Sequence, residues 1–293
     1  MSTPLTLAAI GSVFAERSGV INIALEGMML AGAFAGFLVA YLTGNVWLGL
    51  CSAVGVGALL GLVHSFVCVS LGGDQIVSGI AINVLSLGLT GSLSRMIFGV
   101  TPSLGSVPRL PVIGVPLLSH IPVLGPALFQ QTLLVYLSIA LVPAAAFVLF
   151  RTHWGRSIRA VGEHPRAAHS AGISVYRCRY VAVALSGMLA GLAGAFLSVG
   201  QVGAFGENMT AGRGFIALAA VYFGKLDPVG AFFASLLFGG ADALQLRLQT
   251  LFGTQVPVDL FLMFPYVLAF LTLAGFVGRA TMPAASGTPY TKE

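Results

Sequence analysis

A chain of 293 residues with 57% hydrophobic and only 8% charged positions has too little polar surface to cover a water-soluble particle, because soluble domains carry about 25% charged residues. The composition excludes a soluble enzyme and predicts an all-α polytopic bundle of transmembrane helices, one membrane domain over residues 1–293, whose apolar side chains face lipid. The formal net charge of +5 is concentrated: six of the 14 Lys and Arg residues lie between Arg151 and Arg179, the pattern of a cytoplasmic loop and not of a nucleic-acid surface.

The chain opens with an apolar run from Pro4 to Ala15 of only 12 residues, where a bilayer crossing needs about 20. Three readings are open: a re-entrant segment, a helix packed inside the bundle, or a chain whose start lacks a preceding helix. Full-length spans follow at Ile21–Tyr41, Val46–Leu71 and Ile76–Phe98. Residues 100–129 then hold six prolines, one Arg and no Lys, which excludes a regular helix through most of the segment and predicts an extracytoplasmic loop. Thr132–Phe150 and Tyr180–Val199 are the next spans, on either side of the basic loop 151–179. Phe215–Gly224 is again too short to cross, and Val229–Leu251 and Val258–Val277 complete the series. The expectation is about 8–9 membrane segments, two of them short or re-entrant. If both short segments cross, Arg17, Asp74, Lys225, Arg279 and Lys292 all fall on the side of the basic loop.

Glycines four apart, at Gly32 and Gly36, Gly57 and Gly61, and Gly187 and Gly191, open a groove on one face of each helix. We expect them to serve close packing within one subunit in preference to a dimer seam. LAAIGSVFAERSGV from Leu7 resembles LAAVYFGKLDPVGA from Leu218, each a short apolar segment, a charged break and a Gly-rich helix. That is either an internal repeat of the kind many transporters contain or chance in a low-complexity composition.

Polar groups within hydrocarbon are costly and call for a role. Asn22 and Glu26 lie four apart and are expected on one helix face. They form either an interfacial helix start, with Glu26 paired to Arg17 or set by the helix dipole, or a substrate or gating site. Asn83, Ser86 and Thr90 share a face of the third span, which suits either helix-to-helix hydrogen bonds or a water-lined pathway. Asp242, Gln245 and Gln249 share a face of the span Val229–Leu251, where a carboxylate near mid-depth must pair, protonate or face water. Arg247, five residues on, is not on its face. Cys51, Cys68 and Cys178 show no metal or disulfide spacing, and no catalytic or nucleotide-binding motif is present. We therefore expect no catalytic residues, no metal and no cofactor.

The loop RTHWGRSIRAVGEHPRAAHSAGISVYRCRY resembles the coupling region of bacterial ABC-importer permeases, with Arg166 where the E-A-A-x-x-x-G motif has Glu, followed by Ala167, Ala168 and Gly172. ERSGVINIALEGMMLAGAFAG, WGRSIRAVGEHPRAA, SGMLAGLAGAFLS and AGRGFIALAAVYFGKLDP, in that order along the chain, are similar to the branched-chain amino acid and simple-sugar permease superfamily, closest to its nucleoside branch. The resemblance implies a permease of the bacterial inner membrane that imports a small neutral solute, a nucleoside or simple sugar, with branched-chain amino acids or a vitamin as alternatives. It implies separate ATP-binding ABC subunits, a second related permease, an extracytoplasmic solute-binding protein and contact with membrane lipid. It also implies coupling to the ATPase through Trp154, Gly155, Arg159, Gly162, Glu163, Pro165 and Ala168. In that family the first signature is normally preceded by another helix, so a longer N-terminus is expected. The competing class is a secondary transporter with Asp242 or Glu26 as its ion site. In ATP-loaded vesicles, uptake is expected to survive collapse of the proton gradient. Abolished uptake would identify the secondary carrier instead.

Overall fold

A computed structural model describes residues 1–99, 107–114, 129–252 and 281–290, together with Leu260, Met263 and Val267. The helices are α1 (Ser2–Arg17), α2 (Leu25–Thr43), α3 (Val46–Ser65), α4 (Gln75–Phe98), α5 (Leu133–Arg151), α6 (His153–Glu163), α7 (Pro165–Ser170), α8 (Val175–Ala195), α9 (Arg213–Phe223) and α10 (Pro228–Phe252). α3 and α8 run on through π-helical turns, Phe66–Ser70 and Phe196–Val202. Among the described residues, six helices are long and apolar enough to cross a membrane. Most of the proline-rich loop and all but three residues of the expected last span lie outside the described residues.

Local chemistry sets several boundaries. Asn45 accepts hydrogen bonds from the N–H groups of Trp47 and Leu48 at the start of α3, and Asp74 accepts from Ile76 and Val77 at the start of α4. α2 stops at Gly44, whose φ of +67° ends the helix in a left-handed turn. One short antiparallel ribbon departs from the all-helical expectation: β1 (Val112–Gly114) pairs with β2 (Gln130–Thr132), placing Ile113 opposite Gln131.

The short first segment is a helix packed inside the bundle. Every residue of α1 from Pro4 to Glu16 is buried, against α8, α9, α10 and α5. The glycine ladders explain the tightest contacts, where α2, α3 and α8 meet. A methyl on Gly57 would strike the carbonyl of Gly187, one on Gly191 the carbonyl of Ala53, and one on Gly32 the backbone of Gly191. A methyl on Gly61 would lie 2.8 Å from the carbonyl of Val183. The ladders thus face one another within the chain, and the bare backbones gain dispersion contact that no larger residue permits. α4, packed mainly on α2, leaves Val77, Ile80, Val84, Leu85, Leu89 and Met96 exposed as an apolar outer face.

The segments expected on the inner side gather at one end of the bundle. Arg17 Nε donates to the Leu226 carbonyl at 2.8 Å, Gly162 packs on the Arg17 carbonyl, and Ala285 N–H donates to the Gly162 carbonyl at 2.9 Å. Arg279 and Lys292 lie outside the described residues. At the opposite end, Val107 N–H donates to the Gly203 carbonyl at 2.9 Å, and Arg95 forms a two-pronged pair with Glu207, both contacts 2.7 Å. Arg95 thereby holds the Glu207 carboxyl below the ordinary carboxylate range.

Overpacking a well-filled contact costs about 1–3 kcal/mol. Gly57→Val and Gly191→Val are expected to reach or exceed that range and to lose the monodisperse peak in detergent size-exclusion chromatography. Gly55→Val, where an added Cβ meets nothing within 4 Å, is expected to keep it.

Candidate functional site

The site grows from the short helix α9. Its C-terminal end joins the turn Lys225–Asp227 at the end of the bundle that carries the basic loop, and its 11 residues rise about 16 Å at 1.5 Å each. The helix therefore starts roughly halfway through a hydrocarbon core of about 30 Å. The N–H groups of a first helical turn have no partner within their own helix, and lipid offers none. The chain reaches this point through a bent loop with left-handed backbone at Asn208 (φ +53°), Ala211 (φ +45°) and Gly212 (φ +84°).

Glu26 supplies what the helix start lacks. One carboxylate oxygen accepts from Thr210 Oγ1 at 2.6 Å and from Gly212 N–H at 2.9 Å, and the other accepts from Gly214 N–H at 2.6 Å. The positive end of the helix dipole favours the same placement. Gly214 is required by the approach, since a Cβ there would lie 2.5 Å from the Glu26 backbone. Of the two alternatives for Glu26, pairing with Arg17 or placement by a helix dipole, the first is not formed, because Arg17 turns to the Leu226 carbonyl.

Arg213 points the other way and reaches Asp242 on α10 at 3.2 Å, while its second guanidinium nitrogen donates to the carbonyls of Met209 and Thr210. Of the three options open to Asp242, the structure shows pairing. Between α2, α4 and the bent loop lies a cavity of about 260 Å³, with Glu26, Asn83 and Asn208 as polar lining and Leu30, Leu87 and Phe215 as apolar lining. Asn83 also ties the helices together, accepting from Gly27 N–H at 2.7 Å and donating to the Ile23 carbonyl at 3.0 Å.

The other expected pathway residues go elsewhere. Asn22 is not on α2 but in the linker before it, so it shares no helix face with Glu26. Its N–H donates to Glu16 at 3.2 Å and its side-chain amide to Ser186 Oγ at 2.9 Å. Ser86 and Thr90 are buried, with the Thr90 hydroxyl donating to the Ser86 carbonyl of its own helix. Gln245 is buried and does not line the cavity. Glu16 is fully buried and accepts from the Tyr222 hydroxyl at 3.0 Å. Arg213, Asn208 and Phe215 do not stand out in the sequence. The available signal was a charge flanked by Gly212 and Gly214 immediately ahead of a short apolar run.

In the basic loop, the Thr152 hydroxyl accepts from Gly155 N–H at 3.2 Å and starts α6. Trp154 stacks on Phe14 with ring centroids 5.6 Å apart, Gly155 packs on the Val148 and Leu149 carbonyls, Gly162 on that of Arg17, and Ala168 is buried. Trp154, Gly155 and Gly162 hold the loop to α1 and α5, while Ala168 packs with Val161, Val175 and Cys178. Arg159 lies over the Phe150 ring at 5.3 Å, Glu163 accepts from Ala284 N–H at 3.2 Å, and Pro165 starts α7. Arg156, His164, Arg166, Ala167 and His169 are among the exposed residues of the loop, as are Arg151, Glu163 and Arg177.

A family described as branched-chain amino acid transport system, permease component, matches residues 1–273. The chain is 43% identical to the guanosine ABC transporter permease protein NupQ of Bacillus subtilis (strain 168), over 99% of this chain and 94% of that one. It is 39% identical to the nucleoside ABC transporter permease protein NupC of Lactococcus lactis subsp. cremoris, again over 99% and 94%. A putative glucose ABC transporter permease protein, TsgC13 of Haloferax volcanii, is 42% identical over 85% of this chain and 76% of its own. No solved structure matches.

Glu26→Ala is expected to orphan the donors of Thr210, Gly212 and Gly214 and to lower stability by about 3 kcal/mol or more, at roughly 1–3 for each of the three donors. Glu26→Gln, which keeps one acceptor, is expected to cost less. Thermal unfolding of the purified variants measures both, and equal melting points would refute the capping role.

Proposed function

Because this chain belongs to the permease-component family of branched-chain amino acid transport systems and is the membrane permease subunit of an ABC importer, not an enzyme, we propose that it carries a nucleoside across a bacterial inner membrane. It is a multi-pass membrane protein, and a permease of this kind works with separate ATPase and substrate-binding subunits. The observation that carries the proposal is the cavity at the start of α9. An aromatic ring, Phe215, stands beside the amides of Asn83 and Asn208, a combination that suits a solute with a stacking base and a hydroxylated sugar. Both carboxylates nearby are satisfied inside the protein, Glu26 by the helix start and Asp242 by Arg213. That favours a neutral solute over a zwitterionic amino acid. The similarity to two nucleoside-type permeases points the same way.

Exposed Val84 and Phe215 border the cavity on its outer side. A second, related permease would cover that side and keep lipid from the polar lining. Loop 100–129 would face the solute-binding protein. On the inner side, loop 151–179 would receive the motor, with Arg159, Glu163 and Pro165 toward it and Trp154, Gly155, Gly162 and Ala168 passing its motion to α1 and α5.

A simple sugar is the second reading, favoured by the similarity to the putative glucose permease. The two readings differ at Phe215, since a sugar has no base to stack. In proteoliposomes holding the assembled transporter, labelled guanosine uptake is expected to be competed by other nucleosides and not by glucose. Phe215→Ala is expected to raise the half-saturating concentration about tenfold, within the roughly 1–3 kcal/mol of one base–aromatic stack. Competition by glucose with no effect of Phe215→Ala would favour the sugar.

A further inference from the structure

The cavity at the start of α9 lies between two ties that join α2 to α4. The first, toward the inner side, is Asn83, which accepts from Gly27 N–H and donates to the Ile23 carbonyl. The second runs through the bent loop, and most of that loop belongs to α2. Phe205 is fully buried, its ring centroid 5.1 Å from that of Phe34 and 6.4 Å from that of Phe37. Thr210 and Gly212 donate to Glu26. Between these anchors, residues 206–209 form a turn closed by Met209 N–H donating to the Gly206 carbonyl at 3.2 Å. The turn puts Asn208 on the cavity lining and Glu207 against α4.

Helix α4 meets the turn along one ridge, because Asn83, Leu87, Gly91 and Arg95 are four apart. Asn83 and Leu87 line the cavity. Gly91 leaves open the space beside Glu207, since a Cβ there would meet Glu207 Oε2 at 4.0 Å and nothing nearer. Arg95, about 12 Å beyond Leu87 along the axis, holds both Glu207 oxygens at 2.7 Å. Among the described residues, the hydrogen bonds that join the turn to α4 are those of Arg95. The two ties differ in kind. Gly27 and Glu26 are buried, whereas the side chains of Arg95 and Glu207 are 63% and 46% exposed. An exposed ion pair is weak and is screened by salt. It can therefore open while Phe205 and Glu26 keep the loop on α2.

We infer that Arg95 and Glu207 are positioning residues for transport: their ion pair closes the outer side of the cavity between α4 and the loop, and it holds Asn208 against the solute. Glu207 and Asn208 are adjacent, so the contact that closes the cavity also sets an amide of its lining. The inference rests on the reading of this cavity as the solute site.

The test uses the complete transporter in right-side-out vesicles, with Leu30→Cys as a reporter. Leu30 lines the cavity and is buried, and the exposed Cys51 is replaced by alanine. A membrane-impermeant sulfonated maleimide is added from outside. Arg95→Ala is expected to speed labelling of Leu30→Cys about fivefold, near the upper end for one exposed pair. Raising the salt from 0.1 M to 1 M is expected to speed labelling when Arg95 is present and to have no effect in Arg95→Ala. In labelled guanosine uptake, Arg95→Ala is expected to raise the half-saturating concentration by a similar factor and to leave the maximal rate unchanged. The exchanged pair, Arg95→Glu with Glu207→Arg, is expected to return both readouts toward wild type, and the melting points of all variants are expected to agree. Labelling that responds neither to Arg95→Ala nor to salt would overturn the closure. A lowered melting point in Arg95→Ala, with no recovery of labelling in the exchanged pair, would reduce the ion pair to a structural contact and overturn it as well. Faster labelling in Arg95→Ala, with no effect of Phe215→Ala on uptake, would instead remove the solute reading of the cavity and leave the closure standing.

Discussion

The carboxylate of Glu26 closes the start of α9 inside the membrane, and much of the structure follows from it. A helix that begins near mid-depth exposes backbone donors to a medium without acceptors, at several kcal/mol for each unsatisfied group. Glu26 takes two backbone N–H groups and a hydroxyl at once. The charge is expensive in hydrocarbon and the helix start is expensive there too. Placed together, each removes the cost of the other. With that start stabilised, the preceding loop can fold inward through left-handed backbone, Arg213 can turn to Asp242, and a cavity remains between α2, α4 and the loop.

The sequence made some of this legible and concealed the rest. Composition was sufficient for the helical membrane class. The glycine pairs marked the faces that pack, because a four-residue spacing lies along one helix face regardless of the partner. Asn45 and Asp74 announced helix starts through a local rule. Glu26 and Asn83 were legible as polar groups at the wrong depth, and the two do meet in one cavity. Their partners were not legible. The donors to Glu26 lie about 185 residues further along the chain, and a periodicity argument identifies a face without saying what covers it. Asn22 failed for a different reason. An apolar run was read as helix from its first residue, whereas α2 begins only at Leu25.

Charge patterning conceals two different uses of the basic residues. The basic stretch 151–179 looked like a solvated cluster, but Arg179 is fully buried and donates to the carbonyls of Ser18 and Thr288. Arg17 does the equivalent for Leu226. Ser18 and Leu226 lie just past the C-terminal ends of α1 and α9, where unpaired carbonyls and the negative end of the dipole attract a cation. Some of the residues that bias the chain's orientation in the membrane therefore also complete short helices. The positive-inside rule counts charges and cannot separate the two uses.

The two segments that resemble each other in sequence, around Leu7 and Leu218, are α1 and α9. Both are short, both end at the same surface, and each supplies a group the other needs. Arg17 completes the end of α9, and Tyr222 donates to the buried Glu16 of α1. α9 is thus held at its start by Glu26 and near its end by α1, while Gly162 of α6 rests on the Arg17 carbonyl. A continuous series of contacts joins α6 to the cavity lining: Gly162 to Arg17, Arg17 to Leu226, along α9 to Gly214, and from Gly214 to Glu26. None of its links is a long flexible loop, and both helices in it are short enough to shift as rigid pieces. The series passes through the end of α1, which packs on α8, and ends on α2, so α6 is connected through it to the same glycine-packed core that α2, α3 and α8 form.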